Sequence, residues 1–286
     1  MNRRTFLISA AAMPAALGAC TNGSGDSAAD SDGAVMNAGR TLERIGVQLY
    51  TVRSLMENDF EGTIRQVAAL GYKEVEFAGY YDRSPEDIHA LLEESGLTAP
   101  ATHILIEDMR ADLAGIIEMA KAMGHTYVVC PYLSEEERTL EHYRQHAMFF
   151  NEAGAYCQEN GLQFAYHNHD FEFFPTDGVI PYDILLADTD PDLVKLELDL
   201  YWTTKAGVSA TDLFARQPGR FPCVHVKDMG PAEEMVQVGQ GSIDFAELFS
   251  YSDQAGVQHY FVEHDHPEDP MQSVTGAIAH LRTLTF

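Results

Sequence analysis

Positive charge is scarce. Eighteen lysines and arginines stand against 44 aspartates and glutamates in 286 residues, a formal charge of −26. A protein that grips DNA or RNA needs a basic face to displace counterions from phosphates. The few cations here do not cluster, so nucleic acid is not an expected partner. No apolar run reaches about 18 residues, so no ordinary transmembrane helix is expected. Cysteine is sparse, four in all, and no Cys-x-x-Cys spacing suggests a zinc knuckle or redox pair. No glycine-rich phosphate loop follows the first apolar run, Ile45–Tyr50, which argues against a dinucleotide site. The chain is still 45% hydrophobic and 22% charged. It can bury a normal core, and its length suits one large α/β domain or two small ones.

The first segment reads as an address. Arg3 and Arg4 precede Thr5-Phe6-Leu7, and an uncharged stretch of small and apolar residues runs to Leu17-Gly18-Ala19-Cys20. A charged start, a short apolar stretch and small residues before a cleavage point describe an export signal. The paired arginines resemble a twin-arginine signal, and Leu-Gly-Ala-Cys resembles a lipobox. Together they imply removal of residues 1–19, acylation of Cys20, and a periplasmic or cell-surface lipoprotein that touches the membrane only through that lipid. Residues 20–40 are Gly, Ser, Asp and Ala with almost no large apolar group and read as a flexible tether. Cys130, Cys157 and Cys223 remain, each in an apolar segment, and read as free buried thiols.

From residue 41 to 286 short apolar runs alternate with amphipathic helical patterns. The runs are Ile45–Tyr50, Glu74–Phe77, Ala99–Ile104, Tyr127–Pro131, Leu162–His167, Val194–Asp199, Cys223–Lys227 and Tyr260–Glu263. Their starts recur at roughly 25–40 residues, the size of a βα unit. Helical patterns cover Phe60–Leu70, Pro85–Ser95, Ala111–Met123 and Leu140–Asn160; in the last, Phe149, Ala153, Tyr156 and Cys157 share a face. Several helices end in Gly before a strand, as at Gly71, Gly96, Gly124 and Gly161, where a left-handed residue stops the helix. Eight strands separated by helices predict a (β/α)8 TIM barrel, with an open doubly wound sheet as the alternative.

In such barrels catalytic groups sit at the C-terminal ends of the strands, and polar residues gather there. Strand one ends at Gln48 and Tyr50, strand two carries Glu76, and strand three His103. Strand five runs into Tyr166-His167-Asn168-His169-Asp170. Strand six ends at Asp199, before Tyr201 and Trp202. Strand seven carries His225 and Lys227, and strand eight ends at Glu263, before His264-Asp265-His266. Side chains alternate along a strand, so His167 shares a face with His169, and His225 with Lys227. Two His, one Asp and one Glu from successive strands suit one divalent ion such as Mn2+, Zn2+, Co2+ or Fe2+; either His167 or His169, or both, would supply the imidazole from strand five. Asp170 and Asp265 read as loop or cap residues. His89, His125, His142, His146, His259 and His280 read as core or solvated histidines. Lys227 can pair with Asp228 or another nearby carboxylate.

At these residues the chain resembles the sugar phosphate isomerase/epimerase family, whose barrel is xylose-isomerase-like. The resemblance is carried by Gly46-Val47-Gln48-Leu49-Tyr50-Thr51-Val52-Arg53, Gly71-Tyr72-Lys73-Glu74-Val75-Glu76, Tyr166-His167-Asn168-His169-Asp170-Phe171-Glu172-Phe173, Leu198-Asp199-Leu200-Tyr201-Trp202, His225-Val226-Lys227-Asp228 and Gly239-Gln240-Gly241-Ser242-Ile243-Asp244. It implies one divalent metal (Mg2+ among the candidates) held by Glu, Asp, His and Glu from strands five to eight. Asp199, His225 and Glu263 match the last three. His167 stands where the family usually has Glu, and Trp202 where many epimerases have a substrate-binding His. Both departures set the chain apart from plain ketose epimerases, which use two Glu as paired acid and base. The Tyr-His-Asn-His and His-Val-Lys-Asp motifs resemble the inosose dehydratase-like and 3-keto-glycoside-processing branches.

The resemblance therefore implies metal-assisted enediolate chemistry, either isomerisation and epimerisation or elimination as by a carbon–oxygen lyase. His169, Lys227, Glu263 and Glu76 would be catalytic, Gln48, Tyr50, His103 and Trp202 would bind substrate, and His167, Asp199, His225 and Glu263 would hold the metal. Export and the missing phosphate loop point to a non-phosphorylated carbohydrate, polyol or 3-keto-glycoside. A non-catalytic sugar-binding surface lipoprotein is the alternative. An endonuclease-like reading lacks the cationic groove and the extra ligands of a multi-metal site. The protein could also form an oligomer.

Overall fold

The computed structural model of the protein describes residues 39–286. The expected leader, Cys20 and the tether through residue 38 lie outside the described residues. Gly39 and Arg40, read above as the end of the tether, belong to the body. The backbones of Arg40 and Phe286 exchange two N–H···O bonds of 2.7 and 2.9 Å, and the Arg40 guanidinium reaches Asp253 at 2.9 Å.

Eight parallel strands close into a barrel: β1 (Gly46–Gln48), β2 (Glu74–Phe77), β3 (Thr98–His103), β4 (Tyr127–Cys130), β5 (Gln163–His167), β6 (Val194–Asp199), β7 (Cys223–Val226) and β8 (His259–Val262). They neighbour one another in chain order, and β8 returns to β1 through Val47 and Val262. The expected TIM barrel is therefore present, and the open sheet is excluded. A short antiparallel ribbon, Asp228–Met229 with Met235–Val236, follows β7. Among the described residues no helix is long and apolar enough to cross a membrane.

The first strand is shorter than its apolar run. The Gln48 side chain accepts the Tyr50 N–H at 2.9 Å and turns the chain into a 3-10 helix, Leu49–Val52. Tyr50 thus sits on a turn above the strand. The helices Phe60–Leu70 and Pro85–Ser95 have their predicted bounds. Asp59 and Ser84 accept N–H groups of the first turn, and Gly71 (φ 98°) and Gly96 (φ 67°) stop the helices in the left-handed region. The helix predicted from Ala111 starts at Ile106 and runs to Ala122. Asp112 breaks it (φ −152°, ψ 66°) and caps the second piece through the Gly115 N–H, so the periodicity caught only that second piece.

On the helix Leu140–Glu159 the buried face is Tyr143, His146, Ala147, Phe150, Ala153, Gly154 and Cys157. Of the four residues predicted for it, Ala153 and Cys157 are on it, whereas Phe149 is half-buried and Tyr156 is exposed. Phe150 takes the central place because the three- and four-residue steps from Tyr143 reach it. It packs on Phe164 and Tyr166 of β5 with ring centres 5.0 and 5.2 Å apart. Gly154 permits the close approach: a Cβ there would lie 2.5 Å from the Leu193 carbonyl oxygen.

The inner face of the barrel places the site. Ala101, Ala165, Cys223 and Phe261 belong to a small buried apolar cluster. Two residues further along the same strands, on the same face, come His103, His167, His225 and Glu263. Cys130, Cys157 and Cys223 are buried and free, as expected.

Candidate metal centre and active site

His167 ends β5, Asp199 ends β6, His225 lies in β7 and Glu263 directly follows β8. One possible ligand atom from each lies within 4.8 Å of the others, and all four residues are buried. His167 Nε2 is 3.2 Å from Asp199 Oδ2, and His225 Nδ1 is 2.7 Å from Glu263 Oε2 and 3.8 Å from Asp199 Oδ2. Asp199 Oδ1 accepts the Trp202 N–H at 2.9 Å, which leaves Oδ2 turned to the cluster.

The protons on these rings are fixed from behind. His167 Nδ1 lies 3.0 Å from the Pro131 carbonyl oxygen and must donate to it. Its Nε2 lone pair then faces a carboxylate oxygen. His225 Nε2 lies 2.7 Å from Glu76 Oε2 and 3.2 Å from Glu197 Oε2, so a proton belongs there. His225 Nδ1 has no hydrogen-bond partner, although Glu263 is close by. Burial opposes charge on the His225 ring, but Glu197, Glu263 and Glu76 lift it well above its usual range, so this corner of the site calls for a positive charge between the ring and Glu263 that a bound cation could supply in place of the proton. These donors, nitrogen and oxygen in equal number, fit a divalent transition metal or zinc.

The charges agree. Glu76, Glu197, Asp199 and Glu263 are at most 4% exposed. The one ammonium among them, Lys227, lies 2.9 Å from Asp199, 2.7 Å from Glu263 and 2.8 Å from Asp265. Burial opposes ionisation of Asp199, but Lys227 and the nearby imidazoles hold its carboxyl down at about 2. Burial likewise opposes charge on His103, but Glu76 and Glu197 lift it to about 9. His169 goes the other way. Burial, with His167 and Lys227 beside it, pushes its ring well below the usual range and keeps it neutral.

A cavity of about 510 Å3 opens above the cluster, lined by His103, His167, His169, Lys227, Glu263 and Asp265 toward its polar side. Tyr50, Leu105 and Tyr132 also line it, and they are 38%, 48% and 42% exposed. His169 stands edge-on to His167 (ring centres 5.0 Å, 88°), 5.3 Å from Phe171 and from Trp202. It belongs to the cavity wall and not to the four clustered residues.

The other expected residues divide. His103 and Tyr50 line the cavity. Gln48 is fully buried and spends its oxygen on the Tyr50 N–H. Trp202 is half-buried and packs behind His169. Glu76 is fully buried against His225. None of these three is on the cavity wall.

Asp265, read as a loop or cap residue, lines the cavity and binds Lys227, because it repeats the face of Glu263 two residues on. Asp228 does not pair with Lys227. It accepts the N–H groups of Met229, Gly239 and Gly241 at 2.9 Å and of Ile243 at 3.2 Å. A Cβ on Gly241 would lie 2.1 Å from that carboxylate, which accounts for the glycine in the Gly239-Gln240-Gly241 motif.

Sequence reasoning missed two acids. Glu197 is fully buried and receives the His103 Nε2 proton at 2.8 Å; its alternation with Asp199 was the available signal. Glu172 accepts the Tyr166 hydroxyl at 2.5 Å and the His169 N–H at 2.9 Å, fixing the turn that carries His169. Burial pushes its carboxyl up to about 7.

Comparison with known proteins agrees with this architecture. Inosose dehydratase of Geobacillus kaustophilus is 25% identical over 189 residues, 58% of this chain and 61% of that protein; the aligned part thus spans less than two thirds of that relative. A sugar phosphate isomerase/epimerase from Parabacteroides distasonis superposes with a TM-score of 0.71 at 23% identity, over 90% of this chain and 98% of that one. The IolI protein, solved with a zinc atom bound, superposes with a TM-score of 0.66 at 17% identity, over 85% and 99%. The family model described as a xylose isomerase-like TIM barrel matches residues 64–284. Because that match runs through most of the barrel, the chain belongs to the xylose isomerase-like TIM barrel family.

Proposed function

We propose that the protein is a metal-dependent isomerase, epimerase or carbon–oxygen lyase acting on a non-phosphorylated carbohydrate, polyol or 3-keto-glycoside. The observation that carries this reading is the convergence of His167 Nε2, Asp199 Oδ2, His225 Nδ1 and Glu263 Oε2 beneath an open cavity. The inosose dehydratase name of the aligned relatives supports the lyase branch, and the zinc of the IolI protein supports a divalent ion.

His167, Asp199, His225 and Glu263 would hold that ion. When bound, it would polarise a carbonyl beside a hydroxyl and stabilise the negative charge that develops on the oxygens. The residues around it handle protons. His169 is neutral, lines the cavity, and has a bare Nδ1 with no hydrogen-bond partner, which suits a base. Lys227, held charged by three carboxylates, spends its three N–H donors on them and would reach a substrate oxygen by releasing one, Asp265 being the most exposed of the three. Glu263 contacts both Lys227 and His225 and can pass a proton at the cavity floor.

The wall also selects. Lys227 is already engaged by Asp199, Glu263 and Asp265, so it offers a phosphate dianion no unpaired positive charge. The polar floor suits a sugar ring. The apolar rim of Tyr50, Leu105 and Tyr132 suits a substituent that projects outward, as in a glycoside.

The test is to incubate the metal-loaded protein with a 3-keto-glycoside, with inososes and with free ketoses, and to follow product masses. Loss of an aglycone or water identifies elimination, and an unchanged mass in a new isomer identifies isomerisation. Turnover that survives chelation overturns the metal-dependent reading, and sugar binding without turnover turns it into a binding protein. We also propose export as a lipoprotein anchored through Cys20, on the strength of Arg3-Arg4 with the apolar stretch after them and of Leu17-Gly18-Ala19-Cys20. Cys20→Ser should release the protein from the membrane fraction, and unchanged partitioning removes the proposal.

A further inference from the structure

Behind His225, on the side away from Glu263, lies a second layer of charge. His225 Nε2 is 2.7 Å from Glu76 Oε2 and 3.2 Å from Glu197 Oε2. His103 Nε2 is 2.8 Å from Glu197 Oε2 and 3.3 Å from Glu76 Oε1. The two imidazoles stack, with ring centres 5.3 Å apart and planes at 21°. Both glutamates are fully buried. Neither lines the cavity, whereas His103, which touches both, is a wall residue.

We propose that Glu76 and Glu197 are positioning residues that keep the His225 proton on Nε2 and aim its Nδ1 at the metal. The inference rests on the reading of His167, Asp199, His225 and Glu263 as metal ligands. With an ion held at Nδ1, the ring keeps a single proton, and it belongs on Nε2, where Glu76 Oε2 accepts it at 2.7 Å. Glu197 adds a second negative charge behind the ring. Charge placed there strengthens electron donation from the imidazole to a cation on its far side. His103 bridges the two carboxylates and holds them in place. Glu76 thus acts through His225 and has no direct route to a substrate.

The experiment measures Zn2+ affinity of the full chain by competition with a chromophoric chelator, and the visible spectrum of the Co2+-loaded protein. Glu76→Gln should weaken Zn2+ binding by about 10–100-fold and shift the Co2+ bands. Glu76→Ala should be weaker still, and Glu197→Gln should show a smaller loss. Glu76→Asp keeps the charge one methylene further back and should fall between wild type and Glu76→Ala. A structural role alone would lower the metal-free melting temperature and leave the affinity of the folded protein unchanged. Wild-type affinity and an unshifted spectrum in Glu76→Gln overturn the inference, and so does a loss as large as that of Asp199→Asn, which would make Glu76 a direct ligand in the second group able to hold an ion, Glu76, His103, Glu197 and His225. A wild-type chain that binds neither ion overturns the ligand reading on which it rests. If Glu76→Ala does not fold, the isosteric Glu76→Gln decides.

Discussion

Glu74 and Glu76 stand two residues apart on β2 and are both buried, yet their surroundings differ. Glu74, at the foot of the barrel, accepts from the Arg44 guanidinium and from His259, each at 2.8 Å. Burial opposes its charge, but His259 and Arg44 win and hold the carboxyl below its usual range. The Arg44 side chain is itself 55% exposed, so the pair reaches water. Glu76, one pleat higher, has no arginine or lysine of its own and shares two imidazoles with Glu197. The foot is balanced charge for charge. The mouth holds more acid than base. That imbalance, and not burial of polar groups as such, distinguishes the functional end from the structural one.

The comparison can be broken in several places. The largest effect is expected for Asp199→Asn. Removing one anionic ligand should cost at least about 100-fold in metal affinity and in kcat/KM, with the circular dichroism of the barrel unchanged. Retained metal by elemental analysis would place the cation elsewhere.

Next comes a pH effect that contrasts two buried histidines. His103 sits among carboxylates, whereas His125 hydrogen-bonds the Ala99 carbonyl at 2.6 Å and the Tyr80 hydroxyl at 3.0 Å. Burial drives the His125 ring down to about 4. Its folded value lies below the unfolded one, near 6.5, so the unfolded chain binds the proton first. Its contribution is full above about pH 6.5 and is lost as pH falls toward 4, to a total of about 3 kcal/mol. Denaturant titrations of wild type and His125→Gln across that range should show a shallower pH slope in the variant; parallel slopes would refute the assignment.

Smaller again is Glu74→Gln. It should lower unfolding free energy by about 1–3 kcal/mol and leave Zn2+ affinity untouched; a changed affinity would erase the distinction between foot and mouth. At the bottom of the scale, Arg65→Ala breaks an exposed 3.3 Å pair with Glu94 and should change stability by less than about 1 kcal/mol, as thermal melts would show.

Much of this was legible in the chain because two periodicities coincide. Strand alternation put His167, Asp199, His225 and Glu263 on the inner face, and βα order put them at one end. Glu197 is hidden in the sequence because it sits inside its strand between Leu196 and Leu198, as an ordinary core position would. Asp265 escaped because the chain keeps its alternation beyond the hydrogen-bonded strand. Gln48 and Trp202 show the opposite failure. Each occupies the right end of its strand, but a local hydrogen bond or a packing contact draws it off the cavity wall. The Asp112 break was invisible because a mid-helix aspartate looks the same whether it faces water or caps a new start. In each case a local competition between side chain and backbone, which no periodicity encodes, decided the outcome.

The Asp228 carboxylate gathers four amides of the segment that follows β7, one residue after Lys227. A segment stapled that way cannot swing as a flap without dragging the ammonium out of its pocket. The cavity thus has one wall, at Lys227, whose chain is tied down by a buried carboxylate, and an exposed rim that includes Leu105 and Tyr132 after β3 and β4.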